Sequence, residues 1–363
     1  MKNKIDNGAN TLKVNEGVEQ PPVVNPLLES KLSRYKKRNV NVAALFDGIL
    51  KGDRTSLSRA ITMIESRLPG DQQSARELID MCLPHSGNSV RIGITGVPGV
   101  GKSTFIEAYG LYKIERGGKV AVLSIDPSST RTKGSILGDK TRMERLSINA
   151  NAYIRPSASA GTLGGVARKT RESIILCEAA GYDTVFVETV GVGQSETEVA
   201  KITDFFLLLL LAGGGDELQG IKRGIMEMAD LLIINKADGD NVKRAQLAKR
   251  EYENALHLFP PLESGWKPKV ITASAVNGTG LDTIDDAVKH FLAVTKKNGF
   301  FDKNRKEQDV SLFEQNIRNA LIDAFFQDKN MKHLYDTYRK KISSKEISPY
   351  EAADEILKVY FAK

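Results

Sequence analysis

Two short groups of residues have the types and spacing to bind and cleave a nucleotide. Gly96-Val97-Pro98-Gly99-Val100-Gly101-Lys102-Ser103 fits the phosphate-loop pattern G-x-x-x-x-G-K-[ST]. Its glycines let successive backbone N–H groups turn toward one anion, and a helix starting at Ser103-Thr104 adds partial positive charge there. Lys102 then reaches the outer phosphates, and the Ser103 hydroxyl ligates Mg²⁺. The second group, Asn235-Lys236-Ala237-Asp238, reads N-K-x-D. A carboxylate at Asp238 accepts two hydrogen bonds from guanine N1–H and the exocyclic amine; adenine offers no such pair on that edge and would leave the acid unpaired. The Lys236 stem can lie over the base. Ser274-Ala275, after the strand-like run Val270–Thr272, matches a short element whose backbone N–H contacts guanine O6. The order of the three groups favours GTP over ATP.

Carboxylates complete the set. Glu188-Thr189-Val190-Gly191 follows the run Thr184–Val187 and occupies the usual place of D-x-x-G. There the acid holds Mg²⁺, directly or through water, and the Gly191 N–H meets the γ-phosphate. Glu stands in for the commoner Asp, and its longer side chain still reaches a metal-bound water. Residues 191–196 form a Gly-containing segment suited to ordering around the γ-phosphate. Asp126 ends another strand-like run and is a second candidate for Mg²⁺ or for the attacking water. Asp139 is a third, with a helix-cap role equally open. Lys102, Asp126 and Glu188 are thus the expected catalytic groups, and Ser103, Asp126, Asp139 and Glu188 the expected metal set. Gln194 and Arg142 are guesses for a water-positioning glutamine and an arginine finger. Slow intrinsic hydrolysis raised by a partner is the expectation.

These groups need a scaffold. Apolar runs at Val90–Thr95, Val120–Ile125, Ala152–Ile154, Thr184–Val187, Phe205–Leu211, Leu231–Ile234 and Lys269–Thr272 read as strands, with helical patterns such as Gly164–Ala180 and Asn241–Leu256 between them. Such alternation predicts an α/β fold, a P-loop GTPase domain with a mostly parallel sheet covered on both faces. Ligands in such folds sit beyond the carboxyl ends of the strands, where all these motifs fall. The expected division is a polar, mobile tail 1–39, an N-terminal helical segment 40–86, a GTPase domain 87–300 and a C-terminal helical arm 301–363. Asp53 or Thr55 is placed to cap a helix ended by Pro69-Gly70, with Asp71 capping the next. In the arm, Ser311-x-x-Glu314 and Ser348-Pro349-x-Glu351 read as helix-opening boxes. The arm's apolar faces suit either its own domain or a second copy of the chain.

Composition narrows the classes. The 363 residues carry a net charge of +7, and 41% are hydrophobic. The basic residues are scattered, without the dense or aromatic-interleaved patch of a nucleic-acid binder. Cys82 and Cys177 are far apart and build neither a disulfide framework nor a metal pair. The longest apolar run, Phe205–Ala212, is too short for a bilayer. The N-terminus shows no apolar signal segment and, with Asp6, Glu16 and Glu19 and no Arg before Arg34, no transit pattern. The expectation is a cytoplasmic protein with neither a membrane nor a nucleic-acid partner.

Five stretches together resemble the MeaB/ArgK family of methylmalonyl-CoA mutase-associated GTPases: Asp126–Ser129, Gly138–Met143, Gly161–Ala167, Glu188–Glu196 and Gly215–Lys222. The resemblance runs from about Val40 to the C-terminus. It implies a homodimeric G-protein chaperone that uses GTP and Mg²⁺ to gate cofactor loading of an adenosylcobalamin-dependent mutase and to protect it. By motif, Asp126, Asp139 and Glu188 surround the metal, and Asn235, Lys236 and Asp238 read guanine. Gly213, Gly214, Gly215, Asp216, Glu217, Gln219 and Lys222 resemble a third switch loop coupling nucleotide state to the mutase. The C-terminal helices resemble a dimerisation arm. Two other readings are weighed against this one. A metallochaperone GTPase would need a His-rich tract or Cys/His pair, which the chain lacks. A transport-linked kinase would transfer the phosphoryl group to a protein.

Overall fold

The computed structural model describes residues 41–66, 68–126, 142–158, 163–189, 195–212 and 223–362. Residues from Val42 onward form one compact unit. The expected tail therefore lies outside the described residues, as do Asp139, Gly191, Gln194 and the segment Gly213–Lys222.

Seven parallel strands make one sheet: β1 (Val90–Gly96), β2 (Val120–Asp126), β3 (Ala152–Ala158), β4 (Thr184–Thr189), β5 (Phe205–Leu211), β6 (Leu231–Asn235) and β7 (Lys269–Thr272). Their order is β3-β2-β4-β1-β5-β6-β7. β1, which feeds the phosphate loop, is central, with Ile94 in register with Glu188 of β4 and Gly96 with Leu209 of β5. β5, Phe-Phe-Leu-Leu-Leu-Leu-Leu, is apolar throughout because both faces are covered. Phe206, Leu208 and Leu210 enter one core layer; Phe205, Leu207 and Leu209 enter the other.

The first layer is covered by α1 (Val42–Leu50), α2 (Arg54–Glu65), α3 (Pro69–Cys82), α6 (Leu163–Ala179), α7 (Ser195–Ala200), α8 (Arg223–Met228) and α9 (Val242–Leu256). The second is covered by α4 (Lys102–Glu115), α5 (Glu144–Ser147) and α10 (Leu281–Lys297). Buried Asp285 of α10 accepts hydrogen bonds from Tyr109 and Lys113 of α4, each at 3.1 Å, which fixes the phosphate-loop helix against its neighbour. Cys82 and Cys177 are buried thiols; burial pushes Cys82 up to about 11 and Cys177 higher still.

Two local expectations are corrected. Asp53 caps α2 through Thr55 and Ser56 N–H, but Pro69 opens α3 at its first turn rather than ending α2. Proline is suited to that place because its missing N–H is unneeded there. Asp71 is then a first-turn acid, accepting from Ser66 Oγ at 2.6 Å. In the C-terminal part, α11 runs unbroken from Phe300 to Gln327, so Ser311 lies inside a helix and opens none. The start is set at Gly299-Phe300, where Asn298 Oδ1 accepts Phe300 N–H at 3.0 Å. Ser348 does cap the last helix, α13 (Pro349–Phe361), which follows α12 (Lys329–Ser343).

α11 is 28 residues long, about 42 Å at 1.5 Å per residue. Only its first part is held to the sheet. Arg305 forks onto Asp204 at 2.8 and 2.7 Å and donates to the carbonyls of Gly87 and Ser89. Gln308 donates to Thr203 O at 2.8 Å. Beyond it, Val310, Phe313, Ile317 and Leu321 form an exposed stripe at helical spacing. No described helix is long and apolar enough to cross a membrane.

Candidate nucleotide site

The phosphate loop joins β1 to α4. Gly96, Gly99 and Gly101 all have positive φ, at 155°, 80° and 92°. A Cβ at Gly96 would meet Leu209 O at 2.5 Å, so only glycine lets the loop leave the sheet there. Pro98 and Gly99 lie at the surface, Val97 is half-buried against both core layers, and Val100 is fully buried. Thr104 is exposed on the first turn of α4. Lys102 Nζ donates to Gly96 O at 2.8 Å and lies 3.4 Å from Val97 O. Burial depresses its pKa, Glu188 and Glu196 oppose that shift, and Arg142 adds to it. The ammonium is thus held in an anionic, half-buried corner of the sheet.

The residues of the N-K-x-D group are tied to this loop by hydrogen bonds. Asn235, at the end of β6, donates through Nδ2 to Val100 O at 2.8 Å. Lys236 takes a left-handed φ of 58° and donates through Nζ to Gly99 O at 2.8 Å. Asn241 holds Lys236 O at 2.8 Å. Ser274 follows β7, is fully buried, and donates its hydroxyl to Asp238 Oδ2. Ser274 N–H bonds Thr279 O, and the turn closes at Gly280, where a Cβ would meet Thr272 O at 2.6 Å. Ala275 packs partly buried on the second core layer. A carboxylate so oriented still offers acceptor lone pairs for the two donors of guanine. Asn235 Oδ1 is a buried acceptor with no donor among the described residues. Asn235, Lys236, Asp238 and Ser274 therefore share one edge of the sheet with the phosphate loop.

For the metal, Ser103 Oγ lies 3.5 Å from Glu188 Oε1. A hydroxyl beside a carboxylate is the hard-oxygen pairing that suits Mg²⁺, and these two residues fit it. Asp126 closes β2 at the same edge, two strands from the loop; its side chain lies outside the described residues. Beside Ser103 and Glu188, the Thr95 and Thr189 hydroxyls bond at 2.8 Å and brace β1 against β4. Glu196, buried on α7, adds a further carboxylate near Lys102; nothing in its spacing marks it, because the two meet only once α7 packs. A cavity of about 1040 Å³ lined by His257, Phe259, Trp266 and His290 includes none of the motif residues.

The chain is similar over most of its length to known proteins. A family described as methylmalonyl Co-A mutase-associated GTPase MeaB matches residues 57–330. The chain is 50% identical to a probable GTPase of Mycobacterium tuberculosis over 318 residues, 88% of this chain and 95% of that protein. It is 45% identical to GTPase ArgK of Escherichia coli over 313 residues, covering 85% and 95%. It is 43% identical to the mitochondrial methylmalonic aciduria type A homolog of Mus musculus over 329 residues, covering 88% and 79%. A solved structure described as a LAO/AO transport system kinase superposes with a TM-score of 0.67 at 35% identity, covering 89% of this chain and 98% of that one.

Proposed function

The chain belongs to the MeaB family of methylmalonyl-CoA mutase-associated GTPases, and from that premise we propose that it is a GTP-driven chaperone of an adenosylcobalamin-dependent mutase. It is a GTPase with a P-loop fold. The supporting observation for its ligand is the tie between base reader and phosphate loop: Asn235 and Lys236 both donate to carbonyls of that loop.

In this reading the loop N–H groups receive the β- and γ-phosphates, and Lys102 exchanges its loop carbonyls for phosphate oxygens. Asp238, held by Ser274, selects guanine, with Ala275 beside it. Ser103, Asp126, Asp139 and Glu188 would hold a Mg²⁺, which would supply charge to neutralise the phosphates. Preorganised donors aimed at the charge that builds on the γ-phosphate lower the barrier to attack by water. Gly191, following β4, donates to the γ-phosphate. The segment Gly213–Lys222, next after β5 in sequence, is proposed to report nucleotide state to the mutase, with Gln219 and Lys222 as contacts. The helices of 301–363 are proposed to join two copies of the chain.

The test is capture of methylmalonyl-CoA mutase by the full chain with GDP or a non-hydrolysable GTP analogue. Nucleotide-dependent capture, with hydrolysis stimulated by the mutase, is expected. Capture that ignores the nucleotide, or no capture at all, overturns the chaperone reading. Gln219→Ala and Lys222→Ala should keep basal hydrolysis and lose that stimulation.

A further inference from the structure

Ser124 interrupts an otherwise apolar stretch of β2, Val-Ala-Val-Leu-Ser-Ile. It is 1% exposed, and its Oγ finds no hydrogen-bond partner among the described residues. A buried hydroxyl in that condition costs stability that alanine or valine would not. Its place in the sheet supplies a reason. Ser124 is in register with Glu188 of the neighbouring strand β4. Val122 and Phe186, two residues earlier on each strand, lie in the core layer under α4, while Leu123 and Val187 lie in the other. Alternation therefore sets Ser124 and Glu188 on one face, side by side on strands about 4.8 Å apart. On that face α4 brings Ser103 Oγ to 3.5 Å from Glu188 Oε1.

We propose that Ser124 is a positioning residue for Glu188. In the nucleotide-loaded protein its O–H donates, directly or through one water, to the Glu188 carboxylate and holds it in the orientation that receives the metal. The proposal rests on the nucleotide-site reading above. A buried hydroxyl that serves a charged acceptor only in the loaded state remains unpaired otherwise, which accounts for its cost to the fold.

The test compares Ser124→Ala, Ser124→Thr and Ser124→Val in the full chain. Thr and Val have nearly the same shape and differ in the hydroxyl. Release of a fluorescent GDP analogue is followed against free Mg²⁺, alongside GTP turnover and the melting temperature. Ser124→Ala and Ser124→Val should raise the Mg²⁺ midpoint about tenfold, the loss expected for one hydrogen bond to a charged group. Their melting temperatures should equal or exceed that of the wild type, and Ser124→Thr should keep the wild-type midpoint. An unchanged midpoint in Ser124→Ala, or identical midpoints for Thr and Val, overturns the proposal. Wild-type release that ignores Mg²⁺ overturns the site reading itself, and is distinguishable because it appears before any substitution is made.

Discussion

Lys102 holds its charge against two carbonyls of its own loop, in a place where burial disfavours that charge. In the proposed nucleotide complex a triphosphate would replace those weak partners with anionic oxygens, which are stronger acceptors for an ammonium. Lys102→Ala should lower GTP turnover by about a hundredfold or more, measured as phosphate release at saturating GTP; turnover near the wild-type rate would remove the lysine from the mechanism. Asp238→Asn replaces an acceptor with a donor, so preference should move from GTP toward xanthosine triphosphate, read from competition binding. Unchanged preference would argue against base reading by this residue. Spacing alone picked out Gly96–Ser103, Asn235, Lys236, Asp238 and Ser274 as candidates, because each belongs to a short contiguous pattern. It did not reveal the Ser274–Asp238 bond, which joins residues 36 apart in the chain and exists only once β6 and β7 are paired. Ser124 escaped for the same reason: a lone serine in a strand has meaning only through the neighbour that register assigns it.

At the scale of elements, one guanidinium fastens α11 to the sheet. Arg305 forks onto Asp204, whose side chain is 1% exposed, and Asp204 in turn accepts Arg91 N–H at 2.8 Å. Arg305→Ala would leave that carboxylate buried without its main counter-charge. The expected loss is about 3–5 kcal/mol of unfolding free energy, measured by urea denaturation, and a loss below about 1 kcal/mol would show that the fork matters little. Arg305→Lys should recover only part, since an ammonium cannot match two oxygens in parallel. The strands were legible because fully covered β-strands read as unbroken apolar runs, as β5 does. The helix starts were less so. Ser311-x-x-Glu314 has the chemistry of a cap, yet a cap works only where the preceding backbone is not helical, and here the helix had already begun at Phe300. Pro69 misled in the opposite way: the same ring that halts a helix from within starts one when placed in its first turn.

At the scale of the whole molecule, the stripe Val310, Phe313, Ile317 and Leu321 leaves a long helix with apolar surface on its outer side. Already about half buried, each such side chain gains about 1–1.5 kcal/mol when covered, and a second copy of the chain is the proposed cover. Phe313→Glu combined with Leu321→Glu should convert a dimer to a monomer in light scattering while leaving GTP binding in place; an unchanged mass would place the interface elsewhere, and a monomeric wild type would remove it. The sequence left this undecided because an amphipathic pattern states that a face needs covering without stating by what. Another whole-molecule feature follows from the strands all running the same way. Every connection that enters a strand lies at the rim remote from the ligand. Arg305 staples some of those connections, but Leu258, 80% exposed on the approach to β7, stands outside that staple. A dye attached there would sit at the rim opposite the phosphate loop, so the protein can be tagged for single-molecule work on its reverse side, away from the proposed nucleotide site.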